Sequence, residues 1–153
     1  MDGAYPLYGS PTLGTRTVGG KNERVIFGVT TGGGASNKGV VFAITQSAMG
    51  RRFEVLHSFS QRGGGAYPFG TLVNLKGRLF GTAGFRGNSC CGTVFELTQR
   101  KEVWSETVLY SFTGGGDGGY PYSGVVVDSS GNLYGAAYTG GSGGSGVVYE
   151  VKP

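Results

Sequence analysis

The chain is poor in the residues on which many enzymes and metalloproteins depend. Its 153 residues include one histidine, two cysteines and one tryptophan, and only 14% are charged. A single histidine excludes a multi-histidine metal site within one chain, and no segment shows the alternating oxygen ligands of a calcium loop. No glycine cluster carries the Lys-Ser/Thr of a phosphate-binding loop. The sequence therefore predicts neither a metal site nor another cofactor.

Long hydrophobic runs and helical periodicity are also missing. No segment approaches the ~18 consecutive apolar residues of a membrane helix, and no capped stretch shows helical spacing of apolar residues. The first residues lack the basic start and apolar run of a signal peptide. The net charge of +4 comes from scattered basic residues, whereas a nucleic-acid surface usually shows a denser stripe. We therefore expect no membrane span, no helix and no nucleic-acid partner.

Glycine is present in unusual excess, at 33 of 153 residues. The glycines cluster instead of recurring at every third position, which excludes a collagen-like chain. Runs rich in Val, Leu, Phe, Tyr and Thr lie between the clusters. This alternation predicts short β-strands separated by turns.

Nearly the same sequence occurs three times. Gly39–Thr45 returns as residues 92–98 and again as residues 146–152, at spacings of 53 and 54 residues. A period of this length indicates one supersecondary unit repeated in tandem. We predict one domain, 1–153, made of units covering about 1–63, 64–117 and 118–153.

Each unit reads as four short strands connected in order, with the third unit lacking its fourth strand. Residues 53–59 and 106–112 are the matching fourth strands of the first two units. An insertion at Ser10–Lys21 predicts a longer first hairpin. Tandem four-stranded units of this size are typical of β-propeller blades.

Three blades do not close a propeller, since at least four are typical. A homodimer could supply six blades, or the chain could be a fragment of a longer propeller. A β-trefoil or another all-β fold, such as a prism, is the alternative. Each of these solutions protects the exposed sheet edges, which otherwise invite aggregation.

Three strings of residues resemble the GloVer tandem repeat. They are residues 92–98 (GTVFELT), 104–113 (WSETVLYSFT) and 130–135 (SGNLYG). That repeat occurs in predicted exported proteins of cyanobacteria, verrucomicrobia and related bacteria. The resemblance covers nearly the whole chain and implies a propeller-like, extracellular or surface-associated protein. It implies no catalytic residues, because no activity is established for the family.

Aromatic residues recur at equivalent positions and are the candidate ligand-binding residues. Tyrosine precedes proline in each unit, and a second aromatic residue follows closely; the set is Tyr5, Tyr67, Tyr120, Tyr8, Phe69 and Tyr122. A tyrosine offers a ring to stack on and a hydroxyl to bond with, which suits a sugar or peptide. The alternative is that each Tyr-Pro pair packs on the neighbouring unit. Trp104 is interpreted as a packing residue.

Other chemically active residues favour structural roles. His57 aligns with Tyr110 of the next copy, which indicates packing or hydrogen bonding over catalysis. Glu96 and Glu150 are repeat-equivalent and are interpreted as exposed strand residues. The adjacent cysteines, Cys90 and Cys91, are two ordinary thiols in a loop, a vicinal disulfide or a chemically reactive pair.

The sequence thus favours a non-enzymatic β-repeat binding module for a glycan or another protein, completed by self-association as a dimer. A hydrolase or lyase with a site in a central channel is the first alternative, and a purely structural repeat is the second.

Overall fold

The computed structural model describes residues 2–18, 20–47, 50–60, 63–101 and 103–153. These residues form β-strands and no helix, which confirms the all-β prediction. The described part of the chain therefore contains no helix that could cross a membrane. Residue 1 lies outside the described part. So do residues 61–62, which come just before the predicted boundary between the first two units. The strands are β1 (Gly3–Ala4), β2 (Thr12–Val18), β3 (Lys21–Thr30), β4 (Gly32–Gly33), β5 (Val40–Ser47), β6 (Gly50–Ser58), β7 (Ala66–Pro68), β8 (Val73–Leu75), β9 (Arg78–Phe85), β10 (Thr93–Arg100), β11 (Val103–Ser111), β12 (Val126–Val127), β13 (Leu133–Ala137) and β14 (Val147–Val151).

The main strands form three separate antiparallel sheets in chain order. The first sheet has the order β2-β3-β5-β6, and the third has the order β12-β13-β14. The second sheet has the order β11-β10-β9-β7, with β8 also paired to β9. Strands pair with their sequence neighbours inside each sheet except that β7 pairs with β9 and not with β8. The described strands do not close into the barrel on which a β-trefoil is built.

The first and second sheets share local irregularities at equivalent positions. The β5–β6 register shifts between Val41 and Phe42, and the β10–β11 register shifts between Val94 and Phe95. The first hairpin is longer, as the insertion predicts, because β2 has 7 residues and β8 has 3.

Two hydrophobic cores fill the spaces between the sheets. The first core joins Phe27 and Val41 of the first sheet to Leu79, Phe95 and other residues of the second. The second core joins the opposite face of the second sheet to the third sheet. Period-2 alternation therefore buries both faces of the second sheet, one against each neighbour.

The outer faces of the first and third sheets remain uncovered. On the first sheet, Leu13 and Phe53 are exposed, and Ile26 is partly exposed. On the third sheet, Val126 and Val148 are exposed, the latter at 83%. Two apolar sheet faces at opposite ends of the sheet stack are thus left without a protein neighbour among the described residues.

Glycines allow close approach between successive sheets. An added Cβ at Gly70 would overlap the backbone of Gly124, and one at Gly9 would lie 3.0 Å from the carbonyl oxygen of Gly70. Thr82 Oγ1 donates a hydrogen bond of 2.7 Å to the carbonyl of Ser123 across the same junction. The segments that begin with Tyr-Pro therefore lie side by side where the three sheets meet.

Candidate functional site

The tyrosines that precede proline share an uncommon backbone conformation. Tyr5, Tyr67 and Tyr120 have φ values of 60°, 58° and 57°. Bulky residues seldom adopt this left-handed region, so its recurrence needs a stabilising environment. The three equivalent segments thus repeat in conformation as well as in sequence.

Neighbouring units supply that environment for the second and third tyrosines. The N–H of Tyr67 donates to the carbonyl of Lys38 (2.8 Å), and the N–H of Tyr120 donates to the carbonyl of Cys91 (2.7 Å). The prolines at 68 and 121 pack against glycines 39 and 92, so closely that a Cβ on either glycine would clash. The Tyr-Pro pairs therefore do pack on the preceding unit, as the structural interpretation predicts.

The ring side chains of these segments form one continuous cluster, which we call the aromatic surface. Its members are Tyr8, Tyr67, Phe69, Phe85, Tyr120, Tyr122 and Tyr138. Phe69 contacts Tyr8 at 5.4 Å between ring centroids and Tyr122 at 5.0 Å. Phe85 contacts Tyr67 at 5.7 Å and Tyr120 at 5.3 Å. The contacts therefore run from the first unit through the second to the third.

The cluster is buried at its centre and exposed at its rim. Phe69 and Phe85 are half-buried, whereas Tyr8 is 76% exposed and Tyr138 is 70% exposed. Tyr122 lies between these extremes at 38%. Contiguous exposed apolar patches occur at protein–protein and ligand-binding sites, which makes this surface a candidate site.

The local environment raises the pKa of one tyrosine of this surface, and a lysine lies against another. Burial, together with the neighbouring Tyr120 and Tyr138, raises the pKa of Tyr122 above its ordinary value. The Tyr122 hydroxyl therefore stays protonated at neutral pH. The Lys38 ammonium donates to the Tyr67 hydroxyl and lies 4.7 Å from the centroid of that ring.

The structure brings together five of the six predicted aromatic residues. Tyr5 lies apart: its ring covers Gly32 of its own unit, and it has no ring–ring contact among the described residues. Phe85 and Tyr138 also belong to the surface, although the sequence does not predict them. Aromatic residues at these two positions do not recur between units, because their equivalents one unit away are Thr139 and Gly84.

His57 lies between the outer strands of the first two sheets. Its Nε2 is 3.3 Å from Oε2 of Glu106, and its ring packs edge-on against Phe59 at 4.8 Å. Tyr110, its equivalent, donates a 3.0 Å hydrogen bond to Asp117. Both positions thus place a polar ring against a carboxylate, which belongs to the following unit for His57 and to the same unit for Tyr110.

We expect His57→Phe to lower the free energy of unfolding by about 2 kcal/mol. The substitution leaves the mostly buried Glu106 carboxylate without its partner, and Oε1 of Glu106 already lacks one among the described residues. Urea denaturation gives the measurement. The double variant His57→Phe/Glu106→Leu should recover most of the loss, because removing both partners is nearly neutral. Unchanged stability with lost turnover on a glycosidase or lactonase panel would contradict this prediction and favour the enzyme alternative.

The prediction that Glu96 and Glu150 are both exposed is wrong for Glu96. Glu96 is buried, at 7% exposure, because the third sheet covers its face and Arg78 forms an ion pair with it. The hydrogen bond that Arg78 donates to Glu96 in this pair raises the pKa of Arg78 above its ordinary value. Glu150 is exposed, as expected, and accepts a 3.1 Å hydrogen bond from Tyr134.

The adjacent cysteines lie beside the aromatic surface. The sulfur atoms of Cys90 and Cys91 are at bonding distance, and the carbonyl of Cys91 accepts the Tyr120 amide hydrogen bond. Cys91 is buried against Gly114, whereas Cys90 is exposed. A vicinal disulfide at this place stays a prediction. No group of three or more potential metal ligands lies together in the described part of the chain.

These features define an all-β repeat protein whose successive sheets present a shared aromatic surface. The sequence model of the Gloeobacter/Verrucomicrobia repeat family matches residues 8–153. The chain belongs to that family, which is the one its motifs resemble. No curated protein and no solved structure matches the chain.

Proposed function

We propose that the protein is a non-enzymatic, propeller-like binding module and that the aromatic surface holds a glycan. The observation that carries this proposal is the ring cluster that crosses all three units and exposes its rim. Another protein is the alternative ligand for the same surface.

The chemistry of the surface favours a carbohydrate. Sugars present an apolar face of C–H groups edged by hydroxyls, and a tyrosine offers a ring face beside a hydroxyl. Tyr8, Tyr122 and Tyr138 are the most exposed members of the surface. Their hydroxyls and the Lys38 ammonium supply polar partners at the edge of an otherwise apolar surface, which is the usual composition of a ligand site.

The surface also suits an extended ligand. Tyr8, Phe69, Tyr122 and Tyr138 contact one another in that order, with ring centroids 5.0 to 5.7 Å apart. Successive sugar units of an oligosaccharide could contact successive rings, and several weak contacts on one ligand add up to useful affinity.

We expect Tyr8→Ala and Tyr122→Ala each to weaken glycan binding at least about tenfold, since a lost aromatic contact is worth ~1.5 kcal/mol. A glycan microarray selects the oligosaccharide, and titration calorimetry measures its affinity for each variant. Tyr110→Ala is the matched control, because Tyr110 is also 38% exposed but lies on β11 outside the aromatic surface.

Two results would contradict the proposal. Binding of no oligosaccharide by the folded protein would do so, as would a glycan affinity that Tyr8→Ala and Tyr122→Ala leave intact. Thermal melting of each variant separates a binding defect from unfolding.

The assembly that completes the module is proposed to be a head-to-tail dimer. On the uncovered face of the first sheet, Ile26, Phe42 and Ile44 are repeat-equivalent to the buried residues 79, 95 and 97 of the second sheet. This face therefore resembles in composition the face with which the second sheet packs against the first.

The uncovered face of the third sheet has the complementary composition. Tyr134, Val148 and Glu150 are repeat-equivalent to Phe80, Val94 and Glu96, which pack towards a following sheet. The third sheet of one chain can therefore pack against the first sheet of a second chain, in the way that successive sheets pack within one chain. Two such contacts close a ring of six sheets, within the range of known propellers.

A further inference from the structure

We propose that an open cavity, which begins at one end of the space between the first and second sheets and extends onto the uncovered face of the first sheet, binds a small molecule carrying an oxyanion, such as a carboxylate or sulfate. The cavity has a volume of about 1310 Å³. Its lining includes Arg16, Asn74, Lys76, Gln99 and Trp104. It lies at the end of the sheets where β9 begins, away from the aromatic surface near Phe85, where β9 ends.

Arg16 lines this cavity and carries buried hydrogen-bond donors. Its side chain is 7% exposed, and Nη2 donates to Oε2 of Glu54 at 2.6 Å. Nε and Nη1 have no partner within the described part of the chain. A guanidinium has five N–H donors and no acceptor, so these unpaired groups can be satisfied only by an acceptor.

Trp104 adds a donor of the same kind. Its Nε1 is buried and has no partner among the residues that the structure describes. The ring is held edge-on against Phe27 with centroids 6.4 Å apart, which fixes its orientation. Buried polar groups are nearly always hydrogen-bonded, so unpaired donors on two facing sheets point to a ligand with acceptor oxygens.

The charges around Arg16 favour an anion over a neutral acceptor. Oε2 of Glu54 also lies 3.5 Å from Arg52, so that this carboxylate serves two guanidinium groups. Glu23 is the cross-strand partner of Arg16, and the lining adds the cations Arg24 and Arg51. Glu106 of the second sheet is paired with His57 instead. Lys76, an exposed residue in the turn between β8 and β9, adds another positive charge at the lining. Arginine is well suited to such an anion because its planar fork can donate two bonds to one oxyanion.

The only tryptophan of the chain makes the site directly measurable. We expect D-glucuronate to change the fluorescence of Trp104 saturably and to bind in titration calorimetry, whereas D-glucose does neither. Inorganic sulfate distinguishes the sources of the oxyanion. If sulfate binds as tightly as glucuronate, the ligand of the site is a free inorganic anion. If glucuronate binds more tightly, the ligand is an acidic sugar. Both results support the site.

Two variants test the donors. Arg16→Gln should weaken glucuronate binding at least about tenfold, and Glu54 keeps Arg52 as a partner in that variant. Trp104→Phe keeps an aromatic ring against Phe27, removes only the N–H donor and should weaken binding in calorimetry. Lys152→Gln is the control, since it removes an exposed cation after the third sheet.

Glucuronate and sulfate that fail to bind the folded protein would overturn the proposal. So would undiminished binding by Arg16→Gln and Trp104→Phe together with a normal melting curve. If Arg16→Gln does not fold, the Trp104→Phe result decides alone. Substitutions on the aromatic surface should leave glucuronate binding unchanged, so this site and the glycan surface can fail independently.

Discussion

Replacing Gly70 with alanine is expected to lower the free energy of unfolding by about 3 kcal/mol. The new Cβ would overlap the backbone N and Cα atoms of Gly124, and the carbonyl carbon of Ser123 lies 2.5 Å from it. These are backbone atoms that cannot rotate away, so the junction between the second and third sheets must open. Overpacking of a well-packed site costs about 1–3 kcal/mol and occasionally more. Urea denaturation of the purified variant measures the loss.

Two other glycines separate this effect from a general cost of adding a methyl group. Gly116 has open space around it and no positive φ, so Gly116→Ala should be nearly neutral. Gly77 also has open space but a φ of 83°, so Gly77→Ala should cost about 1 kcal/mol through backbone strain alone. A Gly70→Ala variant as stable as Gly116→Ala would show that the sheets do not meet through this contact.

A single charge on the uncovered face of the third sheet is expected to convert a dimer into a monomer. Val148 is 83% exposed and is repeat-equivalent to Val94, which is completely buried between the second and third sheets. In the proposed ring Val148 occupies the same setting, so Val148→Arg would bury a large charged side chain at each junction, at a cost of several kcal/mol. Light scattering coupled to size exclusion should give twice 15.8 kDa for the unaltered chain and 15.8 kDa for the variant.

The control for this experiment is Val103→Arg. Val103 is also strongly exposed, but it begins β11 and lies on neither uncovered face. It should leave the dimer intact. A stable monomer of the unaltered chain, or a dimer that tolerates both Val148→Arg and Ile44→Arg, would reject the head-to-tail ring. The aromatic surface of one chain could then still bind ligand by itself.

The candidate site shows what repeat equivalence can and cannot predict. Tyr67 and Tyr120 stand out because each precedes proline at the same place in its unit, and both prove to share one backbone conformation. Tyr138 and Phe85 occur at positions where the other unit has a glycine or threonine. Their contribution arises only because folding places them beside Tyr122.

The burial of polar residues also cannot be predicted from the sequence alone. The alternation of β10 places Glu96 on one face of a strand, but which face is covered depends on the third sheet. The same holds for Arg16, which lies in an insertion that has no counterpart in the other units. Its guanidinium is buried because the second sheet closes over the first hairpin.

By itself the sequence determined the all-β class, the repeat period and the family, because these depend on local alternation and on similarity between segments. The longer first hairpin and the three strands of the last sheet also follow from local pattern. Only the tertiary structure decided which rings meet, which carboxylates are buried and where donors are left unpaired. Those properties depend on the packing of one sheet against the next, and residues far apart in the chain create them together.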